Sequence, residues 1–356
     1  MQQPVKRDAK KIIIDGDWGG DEFQTLAVLL FHHDKIDLLG TTTTFGNVSE
    51  PHVFENARRI FEFLKAESVK LFRGAKAPSD RSKPLLGDGA HPVIEFLPKP
   101  SYNRDETQDS VDFILETLES HPSGSVSISA SGPLTNIAQA LRKDRKTMMK
   151  VAKVVIMGGC TIDMPAKDLK TRRGNITPHA EFNFQQASLD AKFVMESGLP
   201  ITLLPMNCTH QLTLTPERHQ AIFNSFAGNE SVLRALLGTE DIQMGKVKPH
   251  EADPRDLGLL NAPASLDMSK FGSSPVMHDV HCALYMLYPE QYEVVRGKVF
   301  VNVHDGEVND QNMWDLTHGR TEFVRDDKSN LEVATKVKDP ELLFKKVLGS
   351  LEFLLK

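Results

Sequence analysis

The chain has 356 residues, 40% hydrophobic and 25% charged, with a net charge of −6 and a pI near 6.1. That composition is expected of a soluble globular protein with a large core, and its acidic balance leaves no basic stripe for nucleic acid or an anionic membrane. Apolar runs such as Ala27 to Phe31 and Ile201 to Leu204 fall far short of the roughly 20 residues that span a bilayer, so no membrane partner is expected.

The first strand is read in Ile12, Ile13 and Ile14, a β-branched apolar run of the kind buried in parallel sheets. It ends directly in Asp15, Asp17, Asp21 and Glu22, with glycines at 16, 19 and 20. Four carboxylates so close repel one another unless they share something positive, and an all-oxygen set suits Ca²⁺ or Mg²⁺. Open α/β sheets carry their ligand crevice at the carboxyl ends of the strands, where this loop falls. An acidic turn favouring the N-terminus of the next helix accounts for the same residues equally well.

Phe23, Leu26, Ala27, Leu29 and Leu30 recur at helical spacing and predict a helix ending near His32 and His33. Ile36 to Thr44 reads as a second strand followed by a Phe45-Gly46-Asn47 turn, completing a right-handed β-α-β unit. Val53 to Leu64 reads as a helix and Val69 to Phe72 as a short strand. Gly74 to Asp105, rich in Pro, Gly, Lys and Ser, reads as a long surface loop of the kind that serves as a lid. Val111 to Leu118 is read as a helix, Ser125 to Ala130 as a strand running into the Ser131 to Asn136 turn, and Asn136 to Leu141 as the helix that follows. Val151 to Met157 reads as a strand closed by Gly158 and Gly159, with a polar insertion from Cys160 to Arg173 beyond it.

Ser188 to Glu196 then reads as a helix and Pro200 to Leu204 as a strand. The stretch 216–274 has helical patterns and predicts a helical subregion over one end of the sheet. Pro275 to Tyr288 holds His278 and Asp279 in a turn before an apolar helix. Tyr292 to Val303 and Glu322 to Val337 read as strands and Leu342 to Leu355 as a closing helix. The alternation predicts an α/β fold with a mainly parallel central sheet flanked by helices, in a single domain over 1–356 with a polar tail at 1–10. Cys160, Cys208 and Cys282 are odd in number and lack CxxC spacing, which argues against a disulfide framework and favours a reducing compartment. The polar start MQQPVKRDAKK lacks the apolar centre of a signal peptide, so a cytoplasmic location is expected, or a secreted or periplasmic one if a signal was removed.

Several strand-end loops carry polar residues that the helix and strand patterns do not require: DGDWGGDE, Gly46-Asn47, SGPLTN, MGG, GNITPHAEFN and VMHD. In that order they resemble the inosine-uridine-preferring nucleoside hydrolase family, whose hallmark is an N-terminal D-x-D-P-G-x-D-D loop; the resemblance runs from about Lys11 to Leu355. It implies a Rossmann-like sheet with its active site at the C-terminal ends of the strands. It also implies a Ca²⁺-dependent N-ribohydrolase that cleaves a small-molecule ribonucleoside to free base and ribose, assembled as a homodimer or homotetramer. On matching positions Asp17 takes the place of the general base and a metal ligand, and Glu22 that of a bidentate metal ligand. Thr135 matches a ligand through its backbone carbonyl and Asp279 the distal metal carboxylate. Asp21, Asn47, Met157, Asn175, Glu181 and Asn183 match residues around the ribose, and His278 sits where the family has a His beside the leaving base.

These residue types suit the chemistry. Breaking an N-glycosidic bond through an oxocarbenium-like state needs a nucleophile on one face, stabilised positive charge on the sugar and a better leaving base. A cation shared by water and the ribose hydroxyls acidifies the water, and Asp17 can take its proton. Amides and a carboxylate orient the sugar. His278, of a residue type with an ordinary pKa near 6.5, can protonate the departing base.

The pattern also departs from the family. Glu22 replaces an Asp and Trp18 a Pro; Leu85-Leu86-Gly87-Asp88-Gly89 stands where H-G-x-D-G is frequent, so the lid His is absent, with His91 nearby; Ala187-Ser188 stands where D-P is frequent. These changes keep open a second reading, a nucleoside- or ribose-binding protein with weakened chemistry. A D-x-D phosphatase is disfavoured, because Trp18-Gly19 follows Asp17 and no Lys partner is evident.

Overall fold

The computed structural model describes residues 8–79, 97–101, 108–161, 174–176, 179–237, 276–303 and 317–356. Strand β1 (Lys10–Gly16) is buried from Ile12 onward. Ile12 and Ile14 face one core and Ile13 the other, which is why the run shows no polar alternation. Around it, β2 (Ile36–Thr43), β3 (Leu71–Phe72), β4 (Val126–Ala130), β5 (Lys153–Met157), β6 (Ile201–Leu204), β7 (Tyr292–Val301), β8 (Thr321–Arg325) and β9 (Leu331–Val337) complete one sheet. Its order is β3-β2-β1-β4-β5-β6-β9-β7-β8. All pairs from β3 to β9 are parallel, and β7 joins β9 and β8 antiparallel. The mainly parallel α/β sheet read from the sequence is therefore present.

Helices cover both faces. On one lie α1 (Gly20–Phe31), α2 (Glu50–Phe63), the apolar helix Val280–Leu287 and the closing helix Pro340–Leu355, whose buried residues join Ile12 and Ile14 in one core. On the other lie α3 (Ser110–Ser120), α4 (Thr135–Lys143) and, beyond the short α5 (Arg145–Met148) and α6 (Phe182–Gln186), α7 (Ser188–Met195). Short α8 (Met206–Thr209) follows β6, and α9 (Pro216–Ser225) and α10 (Glu230–Leu237) begin the helical region expected over 216–274. The helices Val280–Leu287 and Pro340–Leu355 are accordingly α11 and α12. Residues 238–275 lie outside the described part, as do 80–96 of the expected lid loop, with Leu85 to Gly89 and His91, and 162–173 of the expected insertion. Among the described residues no helix is long and apolar enough to cross a membrane.

Successive connections from β1 run outward through β2 to β3, and β4, β5 and β6 are added on the other side of β1. The order thus reverses between β1 and β4, the place where a doubly wound sheet opens a crevice at its carboxyl edge. Behind that edge Asp190 of α7, fully buried, accepts hydrogen bonds from Arg142 (2.7 Å), the Thr135 hydroxyl (2.8 Å) and the Ser79 N–H (3.0 Å). One carboxylate thereby ties α4, α7 and the segment after β3. Because Arg142 keeps 36% of its side chain in water, its charge can rehydrate when the partner is lost. Asp190→Ala is expected to destabilise the fold by about 2–3 kcal/mol, less than a fully buried pair, in urea unfolding followed by circular dichroism.

Candidate active site

The carboxyl end of β1 is fastened on both sides. Ser131 N–H donates to the Asp15 carbonyl (2.9 Å) and Thr44 N–H to that of Gly16 (3.0 Å). The Asp15 side chain is buried and accepts from the Thr42 hydroxyl (2.6 Å) and Asn136 Nδ2 (2.7 Å); burial raises its pKa to about 6 against those two bonds. Asn136 also donates to the Thr43 carbonyl (2.8 Å) and accepts from Ala75 N–H (2.9 Å) and the Ser110 hydroxyl (3.1 Å). A single amide thus joins β1, β2, α3 and α4 beneath the loop. The sequence reading grouped Asp15 with the acids that would share a cation, whereas among the described residues it lies outside the converging carboxylates and ties β1 to Thr42 and Asn136; Asn136 had no role in that reading.

The loop above presents carboxylates. Asn47 N–H donates to Asp17 Oδ2 (2.8 Å), so Asn47 meets the site through its backbone. A Cβ at Gly46 would collide with the Asp17 carboxylate, and one at Gly132 would lie 2.9 Å from the Asp17 nitrogen; both loops need glycine to approach so closely. Glu22, in the first turn of α1, accepts from Gly19 N–H at Oε2 (2.7 Å) and from the Ser131 hydroxyl at Oε1 (3.1 Å). The helix-cap and cluster readings of these acids are thus both realised in one residue. Asp279, just before α11, completes the group: one carboxylate oxygen each from Asp17, Glu22 and Asp279 lie within 4.8 Å of one another, all three residues buried.

Burial dominates the electrostatics. It pushes Asp17 and Asp279 well above the ordinary carboxylate range, with the negative charge of Glu22 as the next cause in each. Glu22 is raised by the same desolvation, opposed by the Gly19 N–H and by a hydrogen bond from Asp17. Asp21 rises to about 7 through burial and the charge of Glu22, against the backbone N–H groups of His278 and Asp279. The bond from His278 N–H to Asp21 Oδ2 is 3.0 Å. The groups that set these values are one another and nearby N–H and O–H donors. An all-oxygen donor set with surplus negative charge fits a hard divalent cation.

The remaining expected residues divide. Asn183 donates from Nδ2 to the carbonyls of Ser131 (2.9 Å) and Met157 (3.3 Å), which sets it between the ends of β4 and β5 and joins it through Ser131 to Glu22. Glu181 caps α6: its oxygens accept from the N–H groups of Gly159 (2.9 Å), Asn183 (2.9 Å) and Phe184 (3.1 Å), and burial raises its pKa against those bonds. Asn175 Oδ1 accepts from Phe182 N–H (2.8 Å) at the same corner. His278 is held at Nδ1 by the Thr209 hydroxyl (2.7 Å), with the His210 ring 5.3 Å away. Thr135, expected to act through its backbone carbonyl, opens α4, where its hydroxyl is turned to Asp190 (2.8 Å). Ser131, four positions earlier in the same SGPLTN turn, meets Glu22 through its hydroxyl, a contact the sequence reading did not name.

Comparison with known proteins agrees with this geometry. The sequence profile of the inosine-uridine preferring nucleoside hydrolases matches residues 12–344. The chain is 30% identical over 287 residues to an uncharacterized protein of Schizosaccharomyces pombe, covering 79% of this chain and 81% of that one. It is 34% identical over 213 residues to uridine nucleosidase 1 of Arabidopsis thaliana, a stretch spanning 58% of this chain and 60% of the relative. A purine-preferring ribonucleoside hydrolase from Gardnerella vaginalis shares the fold, with a TM-score of 0.74 and 22% identity over 98% of this chain and 99% of that one. The carboxylate loop at the β1–β4 reversal and a profile match along nearly the whole chain lead to one conclusion: the chain belongs to the inosine-uridine preferring nucleoside hydrolase family.

Proposed function

We propose that this chain carries out the ribonucleoside hydrolysis of its family with a Ca²⁺ ion held by Asp17, Glu22 and Asp279. The observation that carries the reading is the convergence of three buried carboxylate oxygens within 4.8 Å. When bound, the cation neutralises these charges and acidifies a water molecule. Asp17, fixed by the Asn47 N–H, takes the water's proton as general base. Asp21 accepts hydrogen bonds from the ribose hydroxyls, and Asn183, Asn175, Glu181, Asn47 and Met157 orient the sugar at the ends of β4 and β5. Thr135 adds its backbone carbonyl to the cation's ligands, and the Ser131 hydroxyl steadies Glu22. His278, positioned by Thr209, delivers a proton to the departing base. Three buried cysteines, none of them in a disulfide, support a cytoplasmic home.

A reducing-sugar assay against a panel of purine and pyrimidine ribonucleosides tests this reading. Ribose release should require Ca²⁺ and stop on chelation, and Asp17→Ala should lower kcat by about 10³-fold. Tight ribose or nucleoside binding without turnover, in folded and Ca²⁺-loaded protein, would instead favour the binding-protein reading, which the Glu22 substitution motivates.

The raised carboxyl pKa values give a second expectation. A carboxyl whose folded pKa lies above its unfolded value stabilises the protein at low pH, and this contribution is lost as pH rises through the folded pKa. Asp21 loses it near 7, and Asp17 and Asp279 above the ordinary range. His281, lowered to about 3 by burial, adds little slope above its ordinary 6.5. Chelated protein should therefore melt at progressively lower temperature from pH 6.5 to 8, and Ca²⁺ should raise Tm more at pH 8 than at 6.5, as read by calorimetry. A chelated Tm that rises over this window would contradict the assigned burial of the carboxyls.

A further inference from the structure

Trp18 stands between Asp17 and Gly19 with φ at +33°, in the left-handed region that strains a bulky L-residue. Its two neighbours both serve the carboxylates: Asp17 is one of them, and Gly19 N–H holds Glu22 Oε2 at 2.7 Å. A proline, with φ fixed near −65°, has no access to this backbone. What retains the strain is the side chain. Trp18 is fully buried, its indole Nε1 donates to the Thr42 carbonyl (3.0 Å), and its ring meets Phe61 of α2 edge to face with centroids 5.1 Å apart. Thr42 binds Asp15 through its hydroxyl, so the anchor and the base of the loop share one residue of β2.

We infer that Trp18 is a positioning residue of the cation site: the indole, locked between Thr42 and Phe61, holds the strained turn and thereby sets Asp17 against Glu22. A tryptophan that only filled the core would gain nothing from a left-handed backbone, whereas the bond from Gly19 N–H to Glu22 depends on how the chain leaves position 18. Trp18 touches neither substrate nor cation and acts through its neighbours. The inference rests on the cation reading given above.

Calorimetric titration of Ca²⁺ into the whole protein, alongside kcat, KM and Tm, tests it. Trp18→Phe keeps a ring against Phe61 but deletes the indole donor, and Trp18→Gly accepts the left-handed φ without strain but deletes the anchor. Leu118→Ala, in the opposite core, is the control for lost stability alone. Ca²⁺ affinity should fall about tenfold in Trp18→Phe and further in Trp18→Gly, as for residues that orient metal ligands from behind. At saturating Ca²⁺, kcat should recover in Trp18→Phe, while Leu118→Ala should lose Tm and keep wild-type affinity. Folded Trp18 variants with wild-type Ca²⁺ affinity and a lowered Tm would overturn the inference and leave the cation reading standing. A wild-type protein that takes up no Ca²⁺ would remove the cation reading and the inference with it.

Discussion

The constraint on which the rest depends is the burial of like charges. Asp17, Asp21, Glu22 and Asp279 gather at the carboxyl edge of the sheet, where the described residues surround them chiefly with one another and a few N–H and O–H donors. Carboxylates pushed this way become neutral or acquire a cation. Their surroundings are shaped for close approach: glycines at 46 and 132 let two loops press against Asp17, and the first turn of α1 folds Glu22 back over its own N-terminus.

Beneath these acids lies a second layer, held by side-chain hydrogen bonds. Asn136 joins four elements with its single amide, Asp190 joins three behind it, and Glu181 fixes the corner that carries Asn183. None of these needs to touch a substrate for its loss to disturb the site. Glu181 is instructive, because its carboxylate already accepts backbone donors. Replacing it would loosen α6 and displace Asn183 together, so the two contributions belong to one unit rather than to separate residues.

Much of the fold was legible because β1 and its neighbours are buried on both faces, which makes apolar β-branched runs stand out, and because α1, α2 and α11 carry apolar residues at helical spacing. The short α5, α6 and α8 were not, since one turn of helix is set by caps and packing rather than by periodicity. At the site, Asp17, Glu22 and Asp279 were named together from the order of the motifs, since the acidic loop by itself reads equally as a helix cap, and their carboxylates do converge. The contact of Ser131 with Glu22 was not legible, since nothing in the sequence shows which side chain of that turn reaches α1. The tie between Asp15 and Asn136 escaped for a related reason: a buried polar residue that serves other residues has no signature in sequence apart from its neighbours.

The bond from His278 to Asp21 joins residues 257 positions apart, and Asp279 shares the site with Asp17 at nearly the same remove. During synthesis the acidic loop emerges early and must wait for β2 through β6 before its partner at the start of α11 arrives. Until then its acids remain hydrated, and a weakly held ion is all they can recruit. A cation gripped by all three carboxylates would therefore report the docking of α11 against β1 rather than formation of the loop.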